Sequence, residues 1–376
     1  MQSWEGALRQ KFPALRLWTY LNAASAGPLA LEVARAGFEV YESLLQNGDA
    51  DWEDHLARMN EARQLTARLA GCASDELAFT RNTSHGASLV AQMLWDEGKR
   101  TAVALRDEFP SSTLPFLQRG FDVRFVDSVD GRYPDEAIAQ ALEGRDLLIA
   151  SQVIYQTGFR LDPMRLGAIA RASDARFMVC VTQSMGALPV DFAAWDADYV
   201  IGTSHKWMCA GYGAGLLAVA RRHHDPKRWP QVGWLSQRDI GQFLVNDRLD
   251  VVASPRAMEA GCAPSAALLT LGAASRLWLE AGPERVEARI LSLTERLRTQ
   301  LSEAGATLLS LAPHERSGIT IVAVDPASAA PQVVEALKER RVQTSARGAG
   351  VRFAIHAYND ESDIDRAVEA LVSLGA

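Results

Sequence analysis

The sequence predicts an α/β fold: a mainly parallel, seven-stranded sheet with helices on both faces, followed by a smaller C-terminal α/β unit. Three observations predict it. Short apolar runs alternate with stretches of helical spacing, the pattern of parallel strands joined by crossover helices. The runs are short and apolar, which fits strands covered on both faces. From about Ala266 the character changes to two helical stretches and then a second, shorter strand-and-helix series.

The elements follow in order. Within residues 29–70, Leu31 to Leu44 and His55 to Leu69 carry apolar residues at helical spacing. Leu77-Ala78-Phe79-Thr80 reads as a strand and precedes a helix from Ser84 to Trp95. Thr101 to Leu105, Phe121 to Val126, Asp146 to Ser151, Phe177 to Val181, Tyr199 to Ile201 and Leu216 to Ala220 are the further strands. Residues 221–242, with Pro, Gly and Trp, are the least regular part and read as a site or interface loop. Helices at 265–280 and 283–304 lead to a strand at 318–324, a helix at 331–340, a strand at 350–355 and a closing helix at 361–374. The expected division is an N-terminal segment 1–28, a large domain 29–262 and a small domain 263–376.

Composition narrows the function. The chain has 376 residues, 48% hydrophobic and 23% charged, enough for two domains with sizeable cores. A formal charge of −7 argues against a general nucleic-acid binder, since phosphate backbones attract basic surfaces. No run approaches the ~20 apolar residues of a membrane span. The opening residues lack the basic and apolar regions of a signal peptide, so the cytoplasm is the expected location. Four scattered cysteines and seven scattered histidines suggest neither a disulfide framework nor a metal site.

Lys206 carries the chemistry. It sits in Gly202-Thr203-Ser204-His205-Lys206-Trp207, between the strand at 199–201 and a glycine-rich loop at 211–215. An unpaired ammonium is costly to bury, so lysine is a poor core residue there. A desolvated lysine amine, by contrast, forms Schiff bases with carbonyl compounds, including pyridoxal 5′-phosphate. Four other segments suit a phosphorylated aromatic aldehyde. Thr80-Arg81-Asn82-Thr83-Ser84-His85-Gly86 joins a strand to a helix N-terminus, either an anion site or a plain cap by Thr83 or Ser84. Phe109, in Asp107-Glu108-Phe109-Pro110-Ser111-Ser112, is placed to stack on a ring or simply to fill core. Cys180-Val181-Thr182-Gln183-Ser184-Met185-Gly186 closes another strand. Arg347 offers a bidentate clamp for a carboxylate, or else a solvated charge.

The order of these segments resembles the class V aminotransferase family of fold type I enzymes, which includes kynureninases, cysteine desulfurases and isopenicillin N epimerase-like proteins. The resemblance runs from Tyr20-Leu21-Asn22-Ala23-Ala24 to Tyr358-Asn359-Asp360-Glu361-Ser362-Asp363-Ile364. It is strongest from Gln183 to Trp207. It implies pyridoxal 5′-phosphate as cofactor, with Lys206 as its Schiff-base lysine. It implies further that Ser84, the amide of His85, Thr203 and His205 hold the phosphate. Phe109 would stack on the ring, Gln183 would bond the phenolic oxygen, and Cys180 would stand at the pyridine nitrogen. Arg347, Tyr155 and Asn22 would face an amino-acid-like substrate. A homodimer with the site at the subunit interface is also implied, the loop 259–262 reaching the partner's phosphate.

The chain departs from the family at Cys180, where an aspartate is usual. A carboxylate about 4 Å from the nitrogen is worth roughly 4 kcal/mol at an effective dielectric near 20. That is about 3 pKa units of support for the protonated ring. Cys180 is either a neutral thiol, the form that burial favours, or half of a thiolate–pyridinium pair. Cys262 replaces a threonine usual in the partner's phosphate contact, and the loop at 347–350 lacks the sulfur-accepting cysteine of desulfurases. The expected activity is of the lyase or elimination type. An aminotransferase and a cofactor-binding protein without catalysis are the alternatives.

Overall fold

The structure is a computed structural model that describes residues 3–239, 246–348 and 350–375. The end of the 221–242 loop and Ala349 in the Arg347 loop lie outside the described residues.

The chain opens with α1 (Trp4–Gln10) and β1 (Thr19–Tyr20), then α2 (Leu31–Asn47) and α3 (Trp52–Leu69). The large unit continues with β2 (Leu77–Thr80), α4 (Thr83–Asp96), β3 (Thr101–Leu105), α5 (Pro110–Arg119), β4 (Asp122–Val126) and α6 (Asp135–Leu142). Then come β5 (Leu147–Ser151), α7 (Pro163–Ala172), β6 (Arg176–Cys180), β7 (Tyr199–Thr203) and β8 (Gly215–Val219). The rest is α8 (Ser265–Ala281), α9 (Pro283–Glu303), β9 (Ile319–Ala323), α10 (Ala330–Glu339), β10 (Val342–Gln343), β11 (Ser345–Arg347), β12 (Gly350–Ala354) and α11 (Glu361–Val372).

The seven-stranded sheet has the order β2-β8-β7-β6-β5-β3-β4. Strands β7, β6, β5, β3 and β4 are parallel, and β8 runs against both β7 and β2. Strands β5, β7 and β8 are buried at every position and β6 at all but its first residue, Arg176, as a sheet covered on both faces requires. Helices α4 and α5 pack on one face, where Leu94 and Phe116 meet Ala104, Ile149 and Ile201. The other face meets α6, α7 and the α2–α3–α8 layer through Val103, Leu148, Val179 and Val200.

The second sheet, β11-β12-β9, is antiparallel and packs on α9, α10 and α11. Residues 19–27 lace the two sheets together. β1 pairs with β10, Asn22 bridges to Ala354, and the amide of Gly27 donates to the carbonyl of His205. Helix α8, which the sequence division at 263 assigns to the small domain, packs against α2 and α3 of the large unit. No helix among the described residues is long and apolar enough to cross a membrane.

Candidate active site

The carboxyl ends of β2, β3, β5, β6 and β7 converge on one edge of the sheet, where an open α/β sheet binds its ligands. There a cavity encloses about 600 Å³ of empty space, part of it open to solvent. Its walls bring together Ser84, Phe109, Tyr155, Cys180, Gln183, Thr203, His205 and Lys206 from five sequence segments.

Lys206 is held by a backbone pedestal. Its carbonyl accepts from the amide of Cys209, the amide of Ser204 bonds Ala214, and that of Ala210 returns to Ser204. Next to it Trp207 is buried, donating its indole N–H to Gln183 Oε1 at 2.8 Å, while His356 Nε2 meets its carbonyl at 2.9 Å. Gly186, at φ 92°, passes so close that a Cβ there would lie 2.5 Å from that carbonyl. The fixed loop aims a lysine whose Nζ lies 5.2 Å from the Phe109 ring centroid. Burial lowers the Lys206 ammonium to about 8, with Arg352 and Arg347 adding to the effect and Cys180 opposing it. Nζ has no hydrogen bond or ion pair among the described residues, so a free amine is accessible near neutral pH.

One end of the cavity is an anion site. Asn82 caps α4, its side chain accepting the amide of His85 at 3.0 Å. This leaves the first-turn amides of Thr83 and Ser84 for a ligand. Across from them, Thr203 Oγ1 and His205 Nδ1 are 3.0 Å apart. Burial and Lys206 lower His205 to about 4, so its ring is neutral and able to donate only one hydrogen bond at a time. His85 does not enter this group: its amide is spent on Asn82, and its ring accepts from the amide of Arg81. Nor is the cap Thr83 or Ser84; Ser84 bonds Ser111 instead.

Phe109 forms the outer wall, 42% exposed, with Tyr155 edge-on at 5.1 Å between centroids. Gln183 donates one amide hydrogen to the carbonyl of Ala24, leaving the other free. Cys180 is buried, and burial together with Glu108 pushes its thiol up from the ordinary value, so it is neutral at pH 7. Ser112 is fully buried on the cavity wall, and its hydroxyl has no hydrogen-bond partner among the described residues. Free first-turn amides, an unpaired amine and an orphan hydroxyl on one wall fit a phosphorylated aromatic aldehyde.

The substrate end differs from the sequence expectation. Arg347 is half-buried on β11 and bonds the carbonyl of its own neighbour, Ala346, at 2.8 Å. The buried guanidinium is that of Arg352 on β12, 1% exposed. Its partners are neutral: Ser25 Oγ at 2.6 Å, Ser345 Oγ at 3.2 Å and the carbonyl of Tyr155 at 3.2 Å. Burial beside Arg347 lowers Arg352 to about 9. A buried cation with neutral partners awaits an anion. The sequence signal for it was an arginine inside the apolar run Val351-Arg352-Phe353-Ala354. Asn22 is buried beside the same strand through its bridge to Ala354 and does not line the cavity, though its Oδ1 has no partner among the described residues. The 259–262 loop points Glu259 inward, against Arg63 and the amide of Phe79, while Cys262 is exposed.

Comparisons with known proteins show the family and the fold. The family model "Aminotransferase class-V" matches residues 19–367. A probable cysteine desulfurase of Methanothermobacter thermautotrophicus is 27% identical over 97% of this chain and 96% of its own length. A kynureninase of Shouchella clausii is 25% identical over 94% of this chain and 87% of its own. The isopenicillin N epimerase of Streptomyces clavuligerus is 26% identical over 94% of each. Among solved structures, a cysteine desulfurase of Thermococcus onnurineus superimposes with a TM-score of 0.89 at 22% identity, covering 100% of this chain and 98% of the other.

Proposed function

Since the chain belongs to the class-V aminotransferase family, whose cofactor is pyridoxal 5′-phosphate, we propose that it is a lyase releasing a group from the side chain of an amino acid. The observation that carries this reading is the unpaired, low-pKa amine of Lys206 in one cavity with free helix amides, within electrostatic reach of the buried Arg352. When bound, the cofactor supplies a conjugated ring that accepts charge developing at the substrate's Cα.

The rest falls to the protein's own residues. Thr83, Ser84, Thr203 and His205 would hold the phosphate. Phe109, on the outer wall, would shield the ring from water. Arg352, and outside it Arg347, fix the substrate's α-carboxylate, which orients the bond to be broken. Lys206 would serve as the base that takes the proton from Cα, since an amine lowered to about 8 is well matched to that task. Cys180 would favour elimination over transamination: a neutral thiol beside the ring nitrogen would support stored charge less than a carboxylate in contact. The exposed apolar residues Phe38, Tyr41 and Leu45 along α2 support assembly as a homodimer.

A panel of amino acids with leaving groups at Cβ tests the reading. We expect release of the β-substituent with the cofactor's aldehyde form restored after each turnover. Accumulation of the amine form, reversed only by a keto acid, would assign an aminotransferase instead. Cofactor binding without any spectral response to the panel would leave a binding protein without catalysis.

A further inference from the structure

Beside Cys180 lies a carboxylate that the mechanism above does not use. Glu108 follows β3 and is 7% exposed. One of its oxygens accepts the amide of Ser151 at 2.5 Å and the other the hydroxyl of Ser151 at 2.6 Å. Ser151 is the register partner of Cys180 across β5 and β6, and both line the cavity. Glu108 is near enough to Cys180 to raise its thiol, and the hydroxyl of Ser112, which makes no hydrogen bond of good geometry, lies within reach of both and favours the charged form of each. The other charged or titratable groups facing Glu108 are Asp107 on its own segment and Tyr133. Glu108 takes part in no ion pair among the described residues.

A buried carboxylate without a cation has two stable conditions. It holds a proton, or a cation arrives to face it. Burial pushes Glu108 up to about 7, so in the cofactor-free protein the first condition holds below that pH and both conditions are accessible near neutrality. The groups between it and the cavity are polar and short: the thiol of Cys180 and the hydroxyls of Ser112 and Ser151. Their dipoles can orient with the charge on Glu108, and the Ser112 hydroxyl is within reach of Glu108 and Cys180 alike.

We propose that Glu108 is the displaced counter-ion of the cofactor's pyridine nitrogen, a positioning residue that acts through Cys180 and Ser112 in place of a carboxylate in direct contact. One proton is shared between two sites. Either Glu108 is protonated and the ring nitrogen is bare, or Glu108 is ionised and the nitrogen carries the proton; no other reactant is consumed. Cys180 stays a neutral thiol in both conditions. This rests on the reading of Lys206 as the cofactor lysine, and it sharpens the part assigned to Cys180: the ring's charge is set one layer behind the cavity wall.

The test uses the full chain reconstituted with pyridoxal 5′-phosphate labelled with ¹⁵N in the ring, whose nitrogen resonance is followed against pH. In Glu108→Gln the midpoint of nitrogen protonation should fall by about one pH unit or more relative to wild type. Cys180→Ala should move it less. Unchanged midpoints in Glu108→Gln, or a larger shift in Cys180→Ala, overturn the proposal, the latter in favour of a thiolate partner. Should Glu108→Gln not fold, infrared difference spectra of the wild type before and after reconstitution decide. Loss of a protonated buried carboxyl band supports the proposal, and an unchanged band overturns it. Borohydride reduction of the same samples separates the two claims. A link to Lys206 with an unmoved midpoint sinks only the role of Glu108, whereas no link at Lys206 sinks the reading beneath it as well.

Discussion

At the residue scale, Lys206 and Arg352 show what a sequence exposes and what it hides. Lys206 was legible because a lysine after a buried strand has few structural uses. Arg352 was not, because an arginine in an apolar run looks like a strand residue with its charge in solvent. Arg347, flanked by glycine, looked like the better clamp. Only the packing of β12 against residues 19–27 shows which guanidinium is buried with neutral partners. Arg352→Gln should therefore lower kcat/KM for an α-carboxylate substrate by about two orders of magnitude or more, as loss of a buried charge partner does. Arg347→Gln should cost less than about tenfold. Steady-state kinetics of the two variants check the ranking.

Two titrations belong to the same scale. Lys206 is lowered to about 8, and only its free amine condenses with an aldehyde. The rate of cofactor loading into the empty protein should rise with pH through about 8 and level above it, read in stopped-flow absorbance. Glu108 is raised to about 7 from 4.5 by burial. Between those values the folded chain keeps a proton that the unfolded chain releases. Stability from this group is thus full below about pH 4.5, falls as pH rises to about 7 and is flat above. The loss is on the order of 3 kcal/mol. Denaturant unfolding of the cofactor-free protein should show that slope, and Glu108→Gln should flatten it.

At the element scale, the strands of the large sheet were legible because burial on both faces leaves continuous apolar runs, and β5 to β8 sit where those runs predict. Short pieces escaped. β1 and β10 are two residues each, and their pairing is a long-range fact that no local pattern carries. The cap of α4 falls one residue before Thr83 and two before Ser84, since Asn82, Thr83 and Ser84 are all capping residues by type and only the fold selects Asn82. The segment from Gln183 to Trp207 works as one element. Gly186 at φ 92° lets the chain pass under the Trp207 carbonyl, and Trp207 in turn bonds Gln183. Gly186→Ala should destabilise the protein by about 1–3 kcal/mol in denaturant unfolding, through backbone strain and a blocked approach. It should also weaken cofactor retention, because the strain falls on the residue after Lys206.

At the scale of the whole molecule, the site exists because two sheets meet. The amine comes from the carboxyl edge of the seven-stranded sheet, and the buried guanidinium from the three-stranded one. Residues 19–27 fasten them, reaching β10 and β12 on one side and His205 on the other. The order of motifs along the chain told which segments belong together. It did not tell that Glu108, silent in the sequence, sits behind Cys180, because that neighbourhood is made by the lateral order of β3, β5 and β6.

The most direct test of the account is borohydride reduction of the cofactor-loaded protein, followed by proteolysis and mass spectrometry of the pyridoxyl-bearing peptide. The account predicts one modified site, Lys206, and no covalent adduct in Lys206→Ala. A stable pyridoxyl group on another lysine, or an adduct that persists in Lys206→Ala, would contradict it.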